Sequence, residues 1–115
     1  MRNEDAIASL AALAQGTRLD AFRLLVRHEP DGLPAGEVAR LLDITQNTMS
    51  AHLAILARSG AVTTERRSRS IIYRADLDAF RALALFLIKD CCDGRPELCA
   101  PLVEALLSCS SAEAA

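Results

Sequence analysis

The sequence predicts a mainly α-helical fold with one small β-hairpin, arranged as a winged helix-turn-helix and expected to be homodimeric. Three observations lead there. An apolar fraction of 51% in 115 residues, rich in Leu and Ala and without Trp, suits helix packing better than a sheet sandwich. Between Leu33 and Tyr73 a short helical pattern, a tight turn, a second helix and an arginine-rich hairpin follow one another. After them comes a helix apolar on nearly every side, more than one small domain buries alone.

Asn3 is placed to cap a first helix running to about Ala14, with Ile7, Leu10, Ala11 and Ala14 on one face and small residues opposite. Gly16 and Thr17 interrupt the pattern, Thr17 as N-cap, and Leu19, Phe22, Arg23, Leu25 and Val26 continue a second helix to about His28. Pro30, Asp31, Gly32 and Pro34 read as a break. Glu37 to Leu42 is a short helix with Val38, Leu41 and Leu42 facing inward, ending at Asp43.

Thr45 caps the next helix, in which Met49, Leu53 and Leu56 recur at i, i+4 and i+7 and bury one side. Asn47, Thr48, Ser50, Ala51 and Ala54 remain outside. Gly60 supplies a left-handed stop, and Ala61–Glu65 and Ser70–Arg74 have the β-branched and aromatic content of two strands, with Arg67, Ser68 and Arg69 at the tip. Asp76 or Asp78 caps the long apolar helix, which carries Phe80, Leu83, Phe86, Leu87 and Ile88 and reaches about Asp90. Its second apolar face, joined by the first helix, is expected to meet a second copy of the chain.

The net charge of −2 hides an uneven distribution. Residues 1–57 hold five Arg and seven acids, residues 58–74 five Arg and one acid, and residues 75–115 three basic groups and seven acids. A basic stripe in an acidic chain is an oriented footprint for phosphates. The exposed side of the Thr45–Ser59 helix suits close approach to base edges: Gln46 and Asn47 offer amides for adenine, Thr48 and Ser50 hydroxyls, and Ala51 a methyl contact for thymine. Arg66, Arg67 and Arg69 are the expected phosphate contacts, with Arg58 and Arg74 as lesser candidates. His52 is either a core-edge group or a further phosphate contact. The expected partner is double-stranded DNA, bound by a homodimer whose two reading helices lie one duplex turn apart.

Cys91, Cys92 and Cys99 fall within nine residues, and Cys109 lies farther on. Adjacent cysteines rarely close a relaxed disulfide with each other, and free thiolates are ligands for soft centres. Three thiolates without a histidine fit a pyramidal arsenic(III) or antimony(III) better than a four-coordinate zinc, which would need Cys109 or a carboxylate as fourth ligand. Both histidines, His28 and His52, lie far upstream. Oxidation of the vicinal thiols is the alternative chemistry. Two thiolates would suffice for a monomethylated arsenical.

The segments LAQGTRLDAFRLL, EVARLLDITQNTMSAHLAIL and SGAVTTERRSRSIIYR resemble, in order and spacing, the second helix, helix-turn-helix and wing of the ArsR/SmtB family of metalloregulatory repressors. The similarity runs from about Ala11 to Tyr73. It implies a homodimer that occupies an operator until an inducer ion lowers its affinity. Gln46, Thr48, Ser50 and His52 match the family's DNA-contacting positions, whereas Ala51 and Ala54 stand where many members carry polar or basic groups.

The family's best-known arsenic site, a Cys-Val-Cys on the first helix of the helix-turn-helix, is missing here, since Pro34, Ala35 and Gly36 precede Glu37. Its long-helix zinc site is missing too, because residues 76–115 contain no histidine. CCDGRPELC resembles the C-terminal three-cysteine site of arsenic-responsive members, so Cys91, Cys92 and Cys99 are the implied ligands, with Cys109 as a further candidate.

The expected organisation is a winged-helix and dimerisation part over residues 1–92 and an inducer-site segment over 93–115, frayed from Ser108. No organic cofactor and no enzymatic activity are expected, because the sequence sets no base beside the thiols and has no glycine-rich phosphate loop or acid pair. A thiol-dependent reductase is the weaker alternative class. No apolar run is long enough for a membrane span, and MRNEDAIASL has acids where a signal peptide carries basic residues, so a cytoplasmic protein is expected.

Overall fold

The computed structural model describes residues 1–89 and, beyond them, Glu97, Ala100, Pro101, Glu104 and Ala105. Its elements are α1 (Asn3–Leu13), α2 (Gly16–Arg27), β1 (Leu33–Pro34), α3 (Ala35–Leu42), α4 (Gln46–Ser59), β2 (Val62–Arg67), β3 (Ser70–Ala75) and α5 (Leu77–Lys89). The chain divides into two compact units, Met1–Leu83 and Ala84–Ala115. The first contains the winged helix-turn-helix. The second begins within α5, where Leu85 is exposed. Cys91, Cys92, Cys99 and Cys109, and the expected fraying from Ser108, lie outside the described residues.

The core forms around α4, which contacts α1, α2, α3 and β2. Met49, Leu53 and Leu56 are fully buried, as their spacing requires, and meet Leu25 of α2 and Val38 of α3 in one cluster. Truncating Leu53 to Ala would cost about 2–5 kcal/mol, the usual range for a buried leucine. The α3–α4 turn is three residues long. Asp43 takes the left-handed conformation at φ 55°, and Ile44 N–H donates to the Ala39 carbonyl at 2.9 Å, which closes α3. Gly60 does the same for α4 at φ 87°, with Ala61 N–H donating to the Leu56 carbonyl at 3.1 Å.

Several expectations are corrected. The β structure is a three-stranded antiparallel sheet in the order β1-β3-β2, because the expected break at Pro30–Pro34 contains a short edge strand. Leu33 pairs with Tyr73 and Pro34 with Ile72, and proline is tolerated at an edge that demands no amide. The hairpin strands extend to Arg67 and Ala75, leaving Ser68 and Arg69 as a two-residue turn with Ser68 at φ 57°.

On α1 the buried residues are Ala6, Ser9 and Ala12, whereas Ile7 is 58% and Leu10 42% exposed. The small face lets α1 approach α4 closely and turns the large face outward. Leu41 is likewise exposed, Ala39 taking its inward place beside Val38. Helix caps also differ: Arg2 stands before α1, its backbone N–H donating to Asp5 Oδ2 at 3.2 Å. Gln15 Oε1 accepts from Arg18 N–H at 2.8 Å, so Gln15 and not Thr17 caps α2. Thr45 occupies the cap position of α4, but its hydroxyl donates to Thr48 Oγ1 at 2.9 Å. Asp76 caps α5, its Oδ1 accepting from Ala79 N–H at 3.0 Å.

Gly32 is required. It lies at φ +74°, and an added Cβ would stand 2.6 Å from both the Tyr73 carbonyl oxygen and Arg74 Cγ and 2.8 Å from Ile72 Cγ2. Gly32→Ala is therefore expected to cost at least about 2 kcal/mol, adding steric conflict to left-handed strain. Gly60→Ala, at a left-handed residue with nothing within 4 Å of the added carbon, should cost only about 1–2 kcal/mol. Urea unfolding of the two variants checks this ordering.

Candidate nucleic-acid interface

The buried stripe of α4 determines what the helix shows to solvent. Thr45, Gln46, Asn47, Thr48, Ala51, Ala54 and Arg58 are exposed, and Ser50 and His52 are half-buried on either side of the core stripe. Asn47, Ala51 and Arg58 lie on the side of the helix opposite the core stripe. Gln46 and Ser50 lie on the flank towards the sheet, lining an open cleft with Ala35, Gly36, Arg69, Ile71 and Tyr73. The Gln46 amide sits beside Gly36, 3.4 Å from where a β-carbon would stand. On the opposite flank His52, four residues after Thr48, faces Arg18 near the start of α2.

Hairpin register sorts the arginines. Arg66 lies opposite Ile71 and shares its sheet face with Tyr73, the face that looks to α4 across the cleft. Arg67 lies opposite Ser70 on the reverse face, with its Nη2 3.1 Å from Glu65 Oε2. That pair is exposed, so it neutralises part of the Arg67 charge while adding about 0–1 kcal/mol to stability. Arg69 is exposed in the turn. Among the described residues Arg58, Arg66 and Arg69 make no ion pair.

Arg74 is different. Its Nε and Nη2 donate to Glu29 Oε1 and Oε2 at 3.2 and 2.9 Å, a two-pronged clamp between β3 and the end of α2. Its hydrogen bonds to Glu29, and the charge of that carboxylate, hold the guanidinium even more firmly protonated than usual. Arg74 is thus a structural group of the sheet, its charge already engaged by Glu29. On α3, Arg40 pairs with Glu37, and that hydrogen bond holds the Glu37 carboxyl below its ordinary range. Sequence reasoning missed Glu29 as a partner, since nothing local signals a contact 45 residues away.

Of the eight expected DNA-facing residues, the fold thus brings Gln46, Asn47, Thr48 and Ser50 together on α4 and Arg66, Arg67 and Arg69 onto the adjacent hairpin. His52 is at the core edge, 3.4 Å from Arg18 through its Nδ1. The expected thiolate ligands lie outside the described residues, and among the described residues no three His, Cys, Asp or Glu side chains converge as a metal site. No described helix is long and apolar enough to cross a membrane.

A polar reading helix set beside a cationic hairpin defines a winged helix-turn-helix DNA-binding protein. Residues 13–65 match a helix-turn-helix domain family. The chain is 31% identical over 78 residues to the transcriptional activator HlyU of Vibrio cholerae, covering 68% of this chain and 69% of that protein. Its structure resembles an ArsR-like transcriptional regulator from Rhodococcus sp. RHA1, with a TM-score of 0.71 and 26% identity over 84% of this chain and 89% of the other. It also resembles the homodimeric winged helix-turn-helix DNA-binding domain of Mb0332 from Mycobacterium bovis, described as a possible ArsR-family regulator, with a TM-score of 0.62 and 25% identity over 78% and 82% of the two chains. The chain belongs to the ArsR family of winged-helix transcriptional regulators. It is a DNA-binding transcription factor, not an enzyme.

Arg66→Ala and Arg69→Ala should each weaken duplex binding across sequences and flatten the slope of log K against log salt by about 0.9 per lost phosphate contact. Arg74→Met should leave that slope unchanged while lowering thermal stability. Fluorescence anisotropy over a salt series, with melting curves alongside, separates the two outcomes.

Proposed function

We propose that the chain is a homodimeric repressor that holds a duplex operator and releases it when trivalent arsenic binds Cys91, Cys92 and Cys99. The observation that carries the DNA half is the exposed polar face of α4 flanked by Arg66 and Arg69, which make no ion pair among the described residues. Operator occlusion blocks transcription where the site overlaps a promoter. HlyU is named an activator, so the direction of control in this chain is tested by reporter expression and not transferred from that relative.

The dimer is supported by the outward face of α1, where Ile7 and Leu10 are exposed on a helix whose other side is buried. Apolar surface of that kind is stabilised by a second copy at about 25 cal/mol per Å² removed from water. Mb0332, a relative of similar fold, is homodimeric. Charge placed on this face, as in Ile7→Asp, is expected to shift the chain to monomer in sedimentation.

The inducer reading rests on the donor set in CCDGRPELC: three sulfurs, no histidine, and Asp93, Gly94, Arg95 and Pro96 to turn the chain within the six residues that separate the pair from Cys99. Thiolates at these positions would take up arsenic(III), with antimony(III) or a methylated arsenical as variants, and Cys109 as an additional donor. The helix that leads to them, α5, is described to Lys89, two residues before Cys91. Binding lowers operator affinity only if the ligand favours the arrangement that grips DNA less well.

With arsenite under reducing conditions, operator affinity of the wild type should fall about 5–150-fold, corresponding to a coupling of about 1–3 kcal/mol. Cys92→Ser should retain operator binding and lose the response. Equal affinities with and without arsenite reject the metalloid reading, and release by peroxide alone, reversed by dithiothreitol, replaces it with thiol oxidation.

A further inference from the structure

Arg18 joins three helices at one point. Its backbone N–H is satisfied by Gln15 at the start of α2, its Nε donates to the Ala12 carbonyl at the end of α1 at 2.6 Å, and its Nη1 lies 3.4 Å from His52 Nδ1 on α4. The side chain is half-buried, as is His52. A guanidinium has donors only and stays protonated, so the ring nitrogen facing it must be the acceptor. In a neutral imidazole the proton then resides on Nε2.

That second nitrogen has no partner among the described residues, and no buried side-chain nitrogen or oxygen of these residues lacks one. Nε2 therefore reaches solvent. His52 stands four residues after the exposed Thr48, on the same flank of the reading helix, so the two side chains are neighbours on its surface. We infer that Arg18 is a positioning residue for DNA binding: it fixes His52 as the Nε2–H tautomer, which presents a hydrogen-bond donor beside Thr48 to a backbone phosphate of the bound duplex. This rests on the DNA-binding role of α4 and adds to it a group on α2 that never touches the nucleic acid.

Two measurements test it. Long-range ¹H–¹⁵N correlation spectra of the free protein at neutral pH should show His52 with an unprotonated Nδ1 and a protonated Nε2, while the exposed His28 serves as an in-molecule reference. In Arg18→Gln the His52 pattern should move towards the tautomer mixture. The second measurement uses a duplex selected by the wild type from a random library. Arg18→Gln should weaken its binding about tenfold in the His52 background and by less than about twofold in His52→Ala, the size expected for one hydrogen bond to a charged phosphate. His52→Gln, whose amide donates without any tautomer choice, should keep most of the affinity and be insensitive to Arg18→Gln.

An Nδ1-protonated or mixed His52 in the wild type overturns the inference, as does an equal loss from Arg18→Gln in both backgrounds, which is the signature of a merely structural role. Failure of the wild type to select any duplex would instead remove the DNA-binding reading, and the inference with it. The spectra need no DNA, so that failure is distinguishable from a wrong tautomer.

Discussion

One buried stripe governs this fold. Met49, Leu53 and Leu56 are wholly removed from water against Leu25 and Val38, and a helix anchored along one side has no freedom to rotate about its axis. Rotation by one residue position would carry buried carbon into solvent and polar amides into the core, at a cost of several kcal/mol from either change. The polar face of α4 is consequently presented in a single orientation. Base-edge recognition requires that constancy, because its hydrogen bonds tolerate only small errors in distance and angle.

The hairpin is tied to this anchored helix by different means. Gly32 lets the chain pass close to Tyr73 and Arg74, and β1 then pairs along β3. Glu29 and Arg74 close the same junction from the side. Small, close-packed and doubly hydrogen-bonded contacts at the base leave the outer half of the ribbon to carry Arg66, Arg67 and Arg69 into solvent. The chain's negative total charge is no obstacle, since at ordinary salt, charges more than about 8–10 Å apart are largely screened from one another and the duplex responds to the nearest ones.

Polar links also run from α1 into the reading helix. Ser9 Oγ donates to the Ser59 carbonyl at 3.2 Å, and Arg18 bridges the end of α1 to His52. The side of α1 turned away from these links carries Ile7 and Leu10. An interface formed there would bear on a helix already coupled to the DNA-facing element, which gives dimer geometry a short physical route to the reading surface.

Much of this was legible in the residues themselves. Apolar spacing of i, i+4 and i+7 selected the buried face of α4, Gly60 marked its left-handed stop, and the clustering of Arg between positions 58 and 74 located the cationic ribbon. These are local properties, written into periodicity and composition. The tertiary structure alone decided which side of α1 is inside, because Ala6, Ser9 and Ala12 win that place through close helix approach and not through hydrophobicity. It alone converted the Pro30–Pro34 break into an edge strand and paired Arg74 with Glu29. It alone set Arg18 beside His52. Each of those outcomes depends on groups brought together across 34 to 50 residues of chain, and no local pattern encodes a partner at that distance.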